Sequence, residues 1–126
     1  MPVAVVDASA ILAILFGEPD ASRVVERLGA RDLAAPSLLP YEVMNAAANK
    51  VRRGEVTRDA ADTVVSAFAN VRIALHEPAA SDLFRLAVET RLTAYDAAYL
   101  WLARSLSADL VTLDGKLAGA WSRLRR

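Results

Sequence analysis

Val3-Ala4-Val5-Val6-Asp7-Ala8-Ser9 decides how the rest of the chain is read. Val3 to Val6 is an unbroken apolar, largely β-branched run, which predicts a strand buried on both faces, as in the middle of a parallel sheet. Asp7 follows at once, and Ala8 opens a helical stretch to about Phe16 that Gly17 and Pro19 end. A strand running into an acid and then a helix is the start of an α/β unit, and such sheets bind ligands beyond the carboxyl ends of their strands. Asp7 is thereby placed at the edge where function is expected, although an ordinary helix N-cap explains the same residue.

The alternation continues outward from this stretch. A second helix is predicted from about Asp20 to Leu28, with Val24, Val25 and Leu28 at helical spacing and Gly29 closing it. Asp32 to Ala35 reads as a short strand. Ser37 is expected to cap a helix from Leu38 to about Arg53, with Pro40 tolerated in its first turn. Thr57 caps a further helix to about Ala69, and Val71 to Leu75 reads as a third strand stopped at Pro78. Helices from Ser81 to about Glu89 and from Thr93 through about Leu106 follow. Leu110-Val111-Thr112-Leu113 is the last strand, before Asp114-Gly115 and a short helix containing Trp121. Strands separated by one or two helices predict a parallel sheet with right-handed crossovers. No linker or repeat interrupts the pattern, so residues 1–126 are read as a single domain.

Composition narrows the chemistry. The chain has 126 residues, 55% hydrophobic and 24% charged, a globular composition large enough for one core. No stretch approaches the roughly 18 to 20 apolar residues of a membrane helix. The N-terminus lacks the early positive charge of a signal peptide, so a cytoplasmic protein is expected. Cysteine is absent, which removes disulfides, thiolate metal sites and cysteine nucleophiles, and the single histidine, His76, cannot build a multi-histidine zinc site. A metal must be held mainly by oxygen ligands, which favours Mg²⁺ or Mn²⁺. The formal net charge is zero. Lys50, Arg52 and Arg53 nevertheless cluster at one helix end and Arg123, Arg125 and Arg126 at the C-terminus, as complements to helix dipoles or as phosphate contacts.

Four carboxylates carry the candidate chemistry. Glu42 lies among Leu39, Tyr41, Val43, Met44 and Ala46 with no basic residue within four positions, and Asn45 and Asn49 share its polar stripe. Burying such a carboxylate unpaired is costly, which a metal or a partner resolves. Asp96 falls in Thr93-Ala94-Tyr95-Asp96, a capping-box-like pattern that is compatible with a ligand role. Asp114-Gly115 between apolar runs is a hairpin signal. Lys116 to Trp121 lack alternating β-branched residues, however, so a strand end entering a loop or helix is preferred. Parallel topology brings Asp7, Glu42, Asp96 and Asp114 to one edge. Clustered carboxylates repel one another unless a cation sits among them, and a divalent ion there suits phosphodiester cleavage.

Val-Val-Asp-Ala-Ser at 5–9, Tyr-Glu-Val-Met-Asn-Ala at 41–46, Tyr-Asp-Ala-Ala-Tyr-Leu at 95–100 and Val-Thr-Leu-Asp-Gly-Lys-Leu at 111–117 resemble, in order, the four signature segments of PIN domains. The resemblance spans essentially the whole chain, and its brevity is most similar to the VapC toxins of VapBC toxin–antitoxin pairs. It implies a three-layer α/β/α domain with a central parallel sheet flanked by helices. It implies a Mg²⁺- or Mn²⁺-dependent endoribonuclease with Asp7, Glu42, Asp96 and Asp114 as the acidic metal site and Ser9 and Asn45 as polar support. Either Glu42 or Asp96 would handle the attacking water's proton. The implied substrates are structured RNAs, tRNA or ribosomal RNA, and the implied partners are a second copy in a homodimer and a VapB-type antitoxin. The helices after Leu38 and Gly54 would supply apolar surface for those contacts. A further acidic ligand sometimes present downstream is not evident between Lys116 and Trp121.

Other readings remain open at this point: a PIN nuclease of RNA processing without a toxin role, a receiver-like signalling module, or a non-catalytic domain whose carboxylates are only caps. His76 is expected in a loop and Trp101 and Trp121 in the core or an interface. Tyr41, Tyr95 and Tyr99 are candidates to line the groove.

Overall fold

In a computed structural model of the chain, which describes residues 2–125, Val3–Val6 forms strand β1 inside a four-stranded, all-parallel sheet. The elements follow as α1 (Ala8–Leu15), α2 (Ala21–Leu28), β2 (Asp32–Pro36), α3 (Leu39–Arg52), α4 (Arg58–Ala69), β3 (Ile73–His76), α5 (Ala80–Thr90), α6 (Ala94–Ser105), β4 (Asp109–Val111) and α7 (Gly115–Leu124). The strand order is β3-β2-β1-β4. The chain steps from β1 through β2 to β3 and then returns to the other side of β1. β1 and β4 therefore flank the point where the winding direction reverses, the position at which open α/β sheets form their binding crevice.

Helix α6 packs across β1, β2 and β4, with α5 and α7 against it, while α1, α2, α3 and α4 pack together as a second group. These layers bury Ala4, Val5 and Val6 completely, as the unbroken apolar run predicts. The register Val5↔Ala34 and Val5↔Leu110 sets the carboxyl ends of β1, β2 and β4 side by side. No helix among the described residues is long and apolar enough to cross a membrane.

The three-layer α/β/α fold is the one expected, and most boundaries agree with the sequence. Thr57 and Thr93 cap α4 and α6 as predicted, accepting the amides of Ala60 and Asp96 at 3.1 Å. Ser37 does not cap α3. The N-cap position is Leu38, and the Ser37 hydroxyl instead donates to Glu77 at 2.5 Å, tying the exits of β2 and β3 together. β3 begins two residues later than expected and takes in His76, which pairs with Pro36 and so belongs to a strand end rather than a loop. β4 starts at Asp109 and ends at Val111, leaving Thr112 and Leu113 outside the ladder. Trp121 is buried in the core, and Trp101 is half-buried against it.

Three residues of the basic clusters make contacts within the chain. Lys50 stands 5.1 Å over the Phe16 ring, Arg52 donates to Asn49 at 3.0 Å, and Arg125 stacks 5.7 Å over Trp121. Arg126 lies outside the described residues. Leu100, 0% exposed in α6, is expected to cost about 3 kcal/mol when cut to alanine. Thr57→Ala, which removes one exposed cap, should cost about 1 kcal/mol. Urea midpoints should fall in that order with unchanged m values, and equal losses would contradict the assignment of α6 as the central packing helix.

Candidate active site

Asp7 leaves β1 where the winding direction reverses, and its carboxylate is fully engaged by its surroundings. Oδ1 accepts the Ser9 hydroxyl at 2.7 Å and the Ala10 amide at 3.0 Å, so Asp7 does cap α1. Oδ2 accepts the Thr112 hydroxyl at 2.5 Å. Each hydroxyl then receives a backbone N–H from the segment after β4: Ser9 Oγ from Leu113 at 2.9 Å and Thr112 Oγ1 from Asp114 at 3.0 Å. With 6% exposure, burial pushes the Asp7 pKa up. Its hydrogen bonds to Thr112, Ser9 and Ala10 oppose that shift, and the nearby Asp114 charge adds to it.

Asp114 is the N-cap of α7, its Oδ1 accepting the amides of Lys116 at 2.9 Å and Leu117 at 3.1 Å. The predicted strand end entering a helix is therefore correct, and the hairpin is not formed. Asp96 occupies the first turn of α6. Thr93 accepts its amide, but the carboxylate makes no reciprocal bond among the described residues, which leaves both oxygens available. Burial raises its pKa, Asp114 raises it further, and Lys116 opposes both.

Glu42, half-buried in the first turn of α3, accepts the Tyr99 hydroxyl at 2.5 Å. The unpaired carboxylate inferred from its apolar neighbours is thus paired, across the core, with a tyrosine on α6. Burial raises the Glu42 pKa, the Tyr99 bond lowers it, and the charges of Asp96 and Asp7 raise it. Tyr99 is 1% exposed, and burial, then its bond to Glu42, keep its phenol protonated and donating. Asn45 lines the groove beside Glu42 but no hydrogen bond joins it to a carboxylate among the described residues.

The four predicted acids are therefore gathered at one sheet edge. Their charges link all four: Asp114 raises the pKa values of Asp7 and Asp96, and Asp96 and Asp7 raise that of Glu42. Among the described residues, no three acidic or imidazole groups already converge as a metal-ligand set. Thr112 and Lys116 enter this edge without having been singled out in the sequence, and Tyr99 takes a role other than groove lining. The signal for Thr112 was a hydroxyl interrupting Leu110-Val111-Thr112-Leu113 two residues before an acid.

Residues 4–120 match the PIN domain family. The chain belongs to the PIN-domain family. Two relatives from Pyrobaculum aerophilum support the same placement within its VapC group. Ribonuclease VapC3 is 36% identical over 121 residues, covering 90% of this chain and 91% of its own. Exonuclease VapC9 is 35% identical over 118 residues, covering 93% and 85%. Both bear the names of nucleases, and by class this PIN domain is a nuclease, a hydrolase. Among solved structures, PAE2754 from Pyrobaculum aerophilum superposes with a TM-score of 0.74 at 30% identity, over 98% of this chain and 92% of that one. Mycobacterium tuberculosis VapC20, described as a sarcin-ricin loop cleaving toxin, shares the fold, with a TM-score of 0.65 at 16% identity over 93% and 94%.

Two outcomes follow from this PIN domain's edge. Thr112→Val keeps the shape but removes the donor to Asp7 and the acceptor of the Asp114 amide, so it should cost about 1–3 kcal/mol in urea unfolding. Nuclease activity should fall roughly 10- to 100-fold, and unchanged activity would remove Thr112 from the site. The second outcome concerns pH in metal-free protein. A carboxylate whose folded pKa is raised binds its proton more tightly folded than unfolded, so its stabilising effect is present at low pH and lost as pH rises through the folded value. Glu42→Gln should therefore melt roughly 3 °C above wild type at neutral pH in EDTA. The gap should close as acidification protonates Glu42, and a gap that widens on acidification would reverse the sign.

Proposed function

We propose that this chain is a Mg²⁺- or Mn²⁺-dependent endoribonuclease acting on structured RNA, tRNA or ribosomal RNA, as the toxin of a type II toxin–antitoxin pair. The observation that carries the reading is the set of four electrostatically linked carboxylates at the carboxyl edge of β1 and β4. Among the described residues, Lys116 is the one cation whose charge lowers the pKa of one of these acids, Asp96. The donor set suits a hard divalent ion. It consists of oxygen only, and each acid retains capacity: Asp7 at Oδ2, Glu42 at Oε2, Asp114 at Oδ2 and Asp96 at both oxygens. These four residues would hold the ion, which supplies charge neutralisation and Lewis acidity at a phosphodiester.

The chain's own groups divide the remaining work. Ser9 and Thr112 fix Asp7 in one orientation and attach the Asp114 segment to it. Tyr99 fixes Glu42. Glu42 or Asp96, both shifted upward by burial, would take the proton from attacking water. Asn45 is kept as polar support at the groove wall. RNA as substrate is favoured by the likeness to a relative named as a ribonuclease.

An antitoxin of the VapB type and a second copy of the chain complete the proposal. An apolar groove between α3 and α4, walled by Met44, Ala47, Val51, Ala61 and Val65 with Arg52 and Arg58 at its rim, suits a partner segment. Phe84 and Val88 on α5 and Leu75 on β3 stand exposed and suit a homodimer contact. The test is incubation of purified protein with total cellular RNA in Mg²⁺, Mn²⁺ or EDTA. Discrete fragments should form only with metal, and Asp7→Asn and Asp96→Asn should each slow cleavage by roughly a hundredfold or more. Stepwise release of mononucleotides would replace the endonuclease reading with an exonuclease. Intact RNA under all conditions, without Mn²⁺ binding by calorimetry, would overturn the proposal.

A further inference from the structure

Tyr41 and Tyr95 are 79% and 66% exposed, although Tyr99, four residues beyond Tyr95, is buried in the core. Packing does not account for two large aromatic rings left in water on one side of a small domain. Their positions are not independent of the four acids. Tyr41 immediately precedes Glu42 at the start of α3, and Tyr95 immediately precedes Asp96 at the start of α6. The two rings, contributed by separate helices, line one cavity of about 500 Å³ together with Leu38, Glu42 and Asn45.

The chemistry of that lining selects its occupant. No lysine or arginine lines the cavity, and the Glu42 carboxylate stands in its wall, so an anionic phosphate is disfavoured there. A flat, neutral, aromatic group is favoured, because phenol rings offer stacking faces and Leu38 an apolar floor. The Asn45 amide makes no hydrogen bond among the described residues and carries both a donor and an acceptor, which suits the edge of a base.

We infer that the Tyr41–Tyr95 groove receives an unpaired nucleobase of the RNA strand, next to the phosphodiester presented to Glu42 and Asp96. The inference rests on the nuclease reading above and sharpens it, since a base still stacked in a duplex cannot enter the groove. Cutting is then directed to loops, bulges and single strands.

The test uses fluorescence anisotropy of the intact protein with a short fluorescein-labelled oligoadenylate and with an abasic ribose-phosphate strand of equal length. Ca²⁺ is present, and strand integrity is checked on gels. Tyr41→Ala and Tyr95→Ala should each weaken oligoadenylate binding about tenfold. Phenylalanine should retain binding within about twofold, leucine should not rescue it, and the abasic strand should bind more weakly than oligoadenylate to wild type. Unchanged binding in the alanine variants overturns the inference. So do rescue by leucine, equal binding of the abasic strand, or no binding of oligoadenylate by wild type. A change of molecular mass by light scattering in the alanine variants also overturns it, by giving the tyrosines to a protein interface. Metal-dependent RNA cleavage untouched by both alanine changes would leave the nuclease and remove the groove. Tyrosine-dependent oligoadenylate binding without any cleavage would do the reverse.

Discussion

The buried carboxylate of Asp7 is the constraint on which the arrangement depends. It lies at the end of the central strand, where a charge removed from water must be compensated locally. Compensation comes from the first turn of α1, through Ser9 and the Ala10 amide, and from the exit of β4, through Thr112. The same two hydroxyls accept the amides of Leu113 and Asp114. Solvating one carboxylate thus fixes how α1 leaves β1 and how the chain leaves β4, and it sets where Asp114 begins α7. The network spans the reversal in strand order, so the crevice expected from topology and the one built by hydrogen bonding coincide.

The cost of that construction is electrostatic. Asp7, Glu42 and Asp96 are all raised from their ordinary values, chiefly by burial, with Asp114 adding to the rise at Asp7 and Asp96, and Asp96 and Asp7 adding to it at Glu42. Capping and hydroxyl bonds reduce the strain without removing it. A fold selected for stability alone would replace at least one of these acids with a neutral residue. Retaining four of them around one edge fits the cation-dependent reaction proposed above, for which the absence of cysteine and of a second histidine would favour a hard, oxygen-seeking ion.

The fold was readable because its signals are local. The β1 run, the Thr57 and Thr93 caps and the glycine stops each act within a few residues, and each marks the element found there. Ser37 shows the limit. Its type and position match a cap, but Glu77, 40 residues away, takes its hydroxyl. The positions of the candidate acids in the fold were readable in the same way. Asp7, Asp96 and Asp114 stand at strand ends and helix starts; Asp7 is the cap that its type suggested, Thr93 caps the helix of Asp96, and Asp114 caps α7 where a hairpin turn was the alternative. Thr112 and Tyr99 were not assigned their roles, because these are defined by partners 105 and 57 residues away. A hydroxyl's orientation toward such a partner leaves no periodic trace in the sequence.

The four acids are not equivalent, and the difference bears on how an ion could be gathered by groups that do not yet converge. Asp7 and Glu42 are each locked by a hydroxyl from a distant element, and their remaining lone pairs have fixed directions. Asp96 has both oxygens free, and Asp114 keeps Oδ2 free while Oδ1 holds the start of α7. Asp7, Glu42 and Asp114 are therefore each held by hydrogen bonds, and Asp96 at the start of α6 is the adjustable acid among the described residues. Rigid ligands define where charge must be neutralised, and adjustable ones can close on an ion without disturbing the core. Under the proposed function, a site divided in this way would keep the sheet edge preformed for substrate and leave most of the rearrangement on metal binding to Asp96.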